Sequence, residues 1–511
     1  MDAPCYVLFI QHRIIFHRGG SSMSSIDLVL AIDQGTTNTK AALVDAAGRI
    51  RALGSAPVGV STPRPGWVEQ DAGRIWRSVL EAAAACLAGL PATGRLAGVA
   101  LSTQRESVVA WRAGTGEPVG PVIGWQDRRT AAWCAEAIDD AGRAAVLKRT
   151  GLRVDAMFSA PKMRWVLDHL PAGDVRVGTV DAWLIRQLTA GGEHLCEAGN
   201  ASRTLLYDVT TLAWSPELLA LFGIPAQALP QPLASDAGFG RCRGAAPIPD
   251  GVPIVAVLAD SHAALYGHGC VRPGMAKATY GTGTSVMTPV PGLPPSTAPV
   301  PTTLAWLIGG VPAYALEGNI LSSGATLTWT AGLLTGGDVG ALVRLAETVP
   351  DSGGVTLVPA FAGLGAPHWD RSAQAVFAGM TTGTGPAHVA RAAVDAVAHQ
   401  VCDIVEAIGP LRTFRADGGA TSAALVMQCQ ADLLGRQVDV SAVAEVSALG
   451  VAKLAWQALG HPATWTAGAD VVYTGTLGDI DRAERRARWA GEVARARFTP
   501  AFTPAFAPPE R

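Results

Sequence analysis

The sequence predicts an α/β protein built from two similar units that face each other across a cleft. Three observations carry this expectation. Ile26–Ile32 is an apolar, β-branched run that leads into Asp33 and breaks at Gly35 and Thr36. Ala276–Tyr280 repeats the pattern and runs into Gly281-Thr282-Gly283-Thr284. Val255–Leu258 is a third apolar run, and Asp260 follows it at the head of a small-residue stretch that reads as a helix. Two halves that each begin strand, Gly/Thr/Asp turn, strand point to a duplicated α/β unit. The boundary is expected near residues 260–275.

The elements follow in order. After the first turn, Ala41–Val44 and Arg49–Ala52 continue as a meander around Gly48. Ala-rich stretches at 72–90 and 130–148 carry helical periodicity. Gly98–Ser102 reads as a strand, followed by Gln104-Arg105-Glu106. In the second half, Ala313–Leu316 is a strand and 386–408 a helix. Thr413–Ala416 is a further strand, which ends in Asp417-Gly418-Gly419-Ala420 with a helix expected from Thr421. The domain expectation is an extension over 1–26, a first unit over 27–265, a second over 266–493 and a Pro-rich tail over 494–511. Residues 1–26 lack the basic start, long apolar core and cleavage site of a secretory signal. They read as a disordered extension upstream of a start near Met23. The tail repeats a Thr-Pro-Ala-Phe unit through Phe502 and Phe506, a composition expected of a loose segment.

A length of 511 residues with 49% hydrophobic and 16% charged content fits compact domains rather than a disordered chain. A net charge of −2 gives no basic field for nucleic acid or an anionic membrane. No apolar run reaches the ~18 residues that span a bilayer. The 8 cysteines form no C-x-x-C pair and none has metal-ligand spacing to a histidine, so buried free thiols in a reducing cytoplasm are expected.

The chemistry is concentrated in the turns. A carboxylate at the carboxyl end of a buried strand stands where α/β folds place their active groups. Asp260 is therefore a candidate general base, with helix capping as the alternative. Gly35 lets backbone N–H groups approach an anion, and Thr36, Thr37 and Lys40 add donors and charge. Asp33 repels bare phosphate but suits a phosphate-bound Mg²⁺, directly or through water. The loop is not a Walker A motif. Three such loops, each directly after an apolar strand, together suggest phosphoryl transfer to a hydroxyl.

With these loops in view, the chain resembles the FGGY family of carbohydrate kinases, and within it the glycerol kinases. The resemblance spans roughly residues 27–490. It rests on AIDQGTTNTK (31–40), STQRESVVAW (102–111), IGWQDRRT (123–130), GTVDAWLI (178–185) and GMAKATYGTGTS (274–285). ALEGNILSSGA (315–325), VPAFAGLGAPHWD (358–370) and RADGGATSAALVMQCQADLLG (415–435) continue it. The resemblance implies two ribonuclease-H-like domains of the actin/hexokinase type closing over ATP and a polyol or sugar. It implies Asp260 as catalytic base and Asp33 as the Mg²⁺-associated carboxylate. Thr36, Thr37, Lys40 and Thr282 would meet the ATP phosphates, and Gly324, Gly419 and Ala420 would line the nucleotide site. Arg105 and Glu106 would hold substrate hydroxyls, with Trp125 as an apolar wall and Met157 and Ser261 beside the substrate. A homodimer or homotetramer is implied as well.

The departures are informative. Met157 stands where glycerol kinases carry Tyr, Ser261 where they carry Gln, Ser285 where they carry Phe, and Lys40 where they commonly carry Arg. Ala423 and Thr328 replace an Asn and a Gln of the nucleotide site. A pocket that loses a phenol and a phenyl ring has room for a four- or five-carbon acceptor such as erythritol or xylulose. Repacking around glycerol is the alternative. The loop Arg241–Asp250 lacks the Gly/Lys-rich pattern that binds fructose 1,6-bisphosphate, so no feedback by that sugar phosphate is expected. Two other classes compete. One is a catalytically silent sugar sensor, against which Asp33, Thr282 and Asp260 argue. The other is an actin- or chaperone-like ATPase, which has no use for Arg105, Glu106 and Trp125 at the cleft.

Overall fold

The computed structural model describes residues 26–169, 173–295 and 297–498. The expectations for the N-terminal extension up to residue 25 and for the repeats of the tail lie outside these residues, but the tail does not start at 494: the helix Asp479–Arg497 runs through that point, and Ile26 already belongs to a strand.

Two sheets organise the chain. The first has five strands in the order Ile254–Ala259, Gly94–Thr103, Ile26–Gln34, Asn38–Asp45, Ile50–Pro57. The last three form an antiparallel meander, and the first two run parallel to Ile26–Gln34. The second has seven strands in the order Thr302–Ile308, Val311–Ile320, Thr284–Val290, Met275–Tyr280, Thr413–Asp417, Val438–Val440, Val471–Tyr473. Here too an antiparallel meander precedes parallel strands at Thr413–Asp417 and Val438–Val440. This is the duplicated α/β unit that the two sequence openings predict. The parallel strand Ile254–Ala259 is a continuous apolar run, as a strand covered on both faces requires.

Two helices depart from expectation. The helical stretch at 130–148 is two helices, Ala131–Glu136 and Asp140–Thr150. Asp139 breaks it by capping the second, accepting from the Gly142 N–H at 2.8 Å. The helix expected from Thr421 begins at Ala424 instead, after a short 3-10 turn over Gly419–Ser422. The Thr421 and Ser422 hydroxyls donate back to the carbonyls of Gly418 and Gly419, which favours the tighter turn. The seven cysteines among the described residues are buried and unpaired. No helix among these residues is long and apolar enough to cross a membrane.

One apolar core joins the halves. The helix Val446–Ala458, from the second half, packs on the helix Asp260–Gly267 and on the back of the first sheet through Leu449, Ala452 and Trp456. Trp456 Nε1 donates to the Val44 carbonyl at 3.2 Å. The helices touch at Gly267 and Gly450, where a β-carbon on Gly450 would overlap the Ala263 backbone. Gly450→Val should therefore destabilise the protein by ~1–3 kcal/mol or more, read as a lowered thermal midpoint. An unchanged midpoint would show that this packing can relax.

Candidate active site

The sequence-predicted residues come from both sheets. Asp33, Arg105 and Asp260 follow or end the parallel strands of the first sheet, while the Gly/Thr loop and the Asp417 turn end strands of the second. Registry explains the first contact. Asp33 lies opposite Ser102, and the Ser102 hydroxyl donates to Asp33 Oδ1 at 2.8 Å. Burial pushes the Asp33 carboxyl up to about 6 against that hydrogen bond, and the Asp260 charge adds to the push. Its second oxygen receives no hydrogen bond among the described residues.

Asp260 opens its helix without capping it. Oδ1 accepts from the Ser261 N–H at 2.6 Å and lies 3.3 Å from Arg105 Nε. The side chain is 36% exposed, and Oδ2 receives no hydrogen bond from a described residue. Burial raises the carboxyl, the Arg105 charge opposes this, and Glu106 adds to the rise.

Arg105 and Glu106 are not each other's main partners. Their closest approach is 3.9 Å. Arg105 donates to both oxygens of Glu317, at 2.8 and 2.7 Å, and reaches Ser261 Oγ at 3.3 Å. Glu106 accepts from Arg203 Nε at 2.7 Å. It sits at φ 60°, a left-handed conformation costly for a side chain with a β-carbon. Burial disfavours the Arg105 guanidinium, but Glu317 and Glu106 outweigh it and hold it charged. Burial likewise opposes the Glu317 charge, and Arg105 and Arg203 hold it well below the usual carboxylate range. The sequence reading missed Glu317 and Arg203. The available signal was a lone acid in the apolar run YALEGNI and a lone base in NASRTLL.

The walls are tied to the loops. Trp125, expected as an apolar wall, also donates from Nε1 to the Thr36 hydroxyl at 3.0 Å. Buried Lys162 donates to the carbonyls of Met157 at 2.6 Å and Gly124 at 3.3 Å, fixing the backbone beside Met157 and Trp125. Burial pulls that ammonium down to about 7. Ser285 donates to Glu317 Oε1 at 2.9 Å.

The side expected to meet phosphate is built by interlocked backbone. Gly324 N–H donates to the Gly281 carbonyl, and the N–H groups of Ser323 and Ala325 donate to that of Thr282. Gly418, at φ 98°, lies against the Tyr280 backbone, where a β-carbon would not fit. Gly419 opens onto empty space, and Thr37 and Thr282 are exposed. Lys40 is 37% exposed and reaches Glu445 of the second half at 3.4 Å, so it is already partnered. Asp417 faces inward, 2.6 Å from buried His268.

The residues fit a nucleotide with a magnesium ion. A cradle of glycine backbone and hydroxyls suits phosphate. A single open carboxylate suits Mg²⁺, which takes one or two carboxylates and otherwise water and phosphate oxygens. A dedicated cage of three or more His, Cys, Asp or Glu is absent among the described residues.

Comparison with known proteins agrees with this geometry. Residues 28–267 match the N-terminal domain of the FGGY family of carbohydrate kinases, and residues 276–459 match its C-terminal domain. The chain is 43% identical over 491 residues to a glycerol kinase of Alkalilimnicola ehrlichii, covering 92% of this chain and 98% of that one. It is 43% identical over 447 residues to an apulose kinase of Pectobacterium atrosepticum, covering 85% and 90%. Among solved structures, the ADP-bound glycerol kinase of Plasmodium falciparum superposes with a TM-score of 0.85 at 28% identity, covering 94% of this chain and 100% of that one. With both family domains matched in order and the site residues gathered from both sheets, the chain belongs to the FGGY family of carbohydrate kinases.

Proposed function

We propose that this chain transfers the terminal phosphoryl group of ATP to a hydroxyl of a polyol or sugar. The observation that carries the reading is Asp260, with one carboxylate oxygen held by Ser261 and Arg105 and the other open to the cleft. As a general base it takes the hydroxyl proton while the acceptor oxygen attacks phosphorus. Arg105 and Glu106 orient the neighbouring hydroxyls, with Trp125, Met157 and Ser261 around them. On the phosphate side the proposed contacts are Thr36, Thr37, Lys40 and Thr282, with the backbone of Gly324, Gly419 and Ala420 at the nucleotide. Lys40 has to share or leave Glu445 to serve there. Bound Mg²⁺, held by Asp33 directly or through water, supplies neutralisation of phosphate charge. In this reading the first unit (27–265) binds the acceptor and the second (266–493) the nucleotide.

The acceptor proposed is glycerol-like, extending to four or five carbons. A glycerol kinase and an apulose kinase match the chain at the same identity, so overall identity does not choose between acceptors. The pocket favours the longer ones, because Met157, Ser261 and Ser285 are smaller or more flexible than the residues glycerol kinases carry there. Cytoplasmic location is part of the proposal, supported by the seven buried, unpaired cysteines. So is a homodimer or homotetramer, supported by exposed Trp329, Leu333, Phe361 and Met380 on the second unit.

Kinetics across glycerol, erythritol, xylitol and xylulose test the reading. ATP-dependent phosphorylation is expected, with kcat/KM for a longer acceptor at least matching that for glycerol. A glycerol value far above the rest would refute the longer acceptor. Asp260→Asn should lower kcat by ~10²–10⁴-fold while calorimetry shows ATP binding retained; unchanged turnover would overturn the base assignment. The base must be ionised, and burial raises its carboxyl, so activity is lost as pH falls. The acid limb of kcat/KM should therefore lie above about pH 4, the ordinary aspartate value. A limb at or below it would contradict the burial argument.

A further inference from the structure

Glu317 belongs to the second sheet, yet its carboxylate faces two arginines of the first unit. It is fully buried in the strand Val311–Ile320. Oε1 accepts from Arg105 Nη2 at 2.7 Å and from Ser285 Oγ at 2.9 Å. Oε2 accepts from Arg105 Nη1 at 2.8 Å and lies 3.1 Å from Arg203 Nη1. Three hydrogen-bond donors and the Arg203 charge thus converge on one carboxylate. Ser285 pairs with Asn319 across the ladder, which puts it diagonal to Glu317 on the same face of the sheet.

The direction of these hydrogen bonds fixes what is left over. Ser285 spends its only hydrogen on Glu317, because a carboxylate only accepts. Its oxygen is left with lone pairs alone. Ser261 accepts from Arg105 Nη2, because a guanidinium only donates, so its hydroxyl hydrogen is left to give. Both serines are half-buried, while the ion pair between them is buried. The cleft therefore presents one acceptor and one donor, wired with opposite polarity through the same pair. Hydroxyls, which give and take a hydrogen, satisfy both. A ketose carbonyl satisfies only Ser261.

We propose that Glu317 is a positioning residue that holds Arg105 for the acceptor and polarises Ser285 as a recognition point for a hydroxyl beyond a three-carbon unit. The inference rests on the kinase reading above and deepens it. It also makes acceptor recognition depend on both units, since neither contributes both ends of the Arg105–Glu317 pair.

Ser285→Ala and Glu317→Asp test it. Ser285→Ala strands no charge, because Arg105 and Arg203 remain on Glu317. It should shift the ratio of kcat/KM for erythritol or xylitol to that for glycerol by ~10-fold toward glycerol, the value of about one hydrogen bond. Glu317→Asp retracts the carboxylate and should raise KM for the acceptor ~10-fold, with KM for ATP within about twofold. An equal fall on every acceptor in Ser285→Ala, or parallel rises in both KM values in Glu317→Asp, would overturn the inference and leave Glu317 merely structural. A wild-type enzyme that phosphorylates no polyol or sugar would remove the kinase reading and the inference together. Wild-type activity with undiscriminating variants would remove the inference alone.

Discussion

Two buried arginines and two buried glutamates occupy the junction of the two units, and the site is arranged around them. Arg105 and Arg203 face Glu317 and Glu106, so the cluster is neutral as a whole. Burying such charges costs several kcal/mol per ion, and breaking one pair in place costs ~3–5 kcal/mol. The fold offsets that cost by hydrogen-bonding both Glu317 oxygens, Oε1 from Arg105 and Ser285 and Oε2 from Arg105. A second consequence is backbone strain. Glu106 keeps a left-handed conformation because Arg203 holds its carboxylate and the Ser159 hydroxyl donates to its carbonyl. Strain of this kind persists only where its surroundings over-determine it.

The cluster is one of several places where the halves meet, and two others differ from it in kind. At the base the contact is apolar, with Trp456 and Leu449 against the first sheet. Ser447 adds a hydroxyl to the Asp260 carbonyl at 3.1 Å, so the helix that joins the halves also touches the proposed base. At the rim the contacts are polar and more exposed. Asp155 accepts from Arg128 and, across the cleft, from Arg371, each at 2.8 Å. Asp155 also accepts from the Met157 N–H, so the rim pair and the pocket wall share one side chain. Apolar packing at the base and ion pairs at the rim give a cleft whose floor is fixed and whose mouth is held by weaker, screened contacts.

Much of this was legible in the sequence. Apolar strands followed by Gly/Thr/Asp turns located Asp33, the second loop and Asp260, because a strand buried on both faces leaves a long hydrophobic signature. What lay hidden was pairing across distant segments. No local pattern shows that Glu317 partners Arg105, or that Trp125 reaches Thr36. The helix boundaries at Asp139 and Ala424 were missed for a related reason, since side-chain caps and back-bonding hydroxyls compete with periodicity. Lys40 is the instructive case. Its position beside a phosphate loop is plain from sequence, while its engagement by Glu445 is a fact of tertiary structure alone.

The pocket's polarity bears on the acceptor more strongly than its volume does. Space left by a lost ring can be filled by water or by repacking, so volume alone does not demand a larger substrate. A hydroxyl buried against a bound acceptor is different. Once water leaves, an unmatched donor or acceptor costs ~1–3 kcal/mol. Ser261 and Ser285 place one donor and one acceptor beside a buried ion pair that cannot reorient to satisfy them. An acceptor that fills the space with carbon pays that cost, and one that carries a further hydroxyl avoids it. If Arg105, Glu106 and Asp260 hold acceptor hydroxyls as proposed, selection among polyols and sugars follows from which hydroxyls remain.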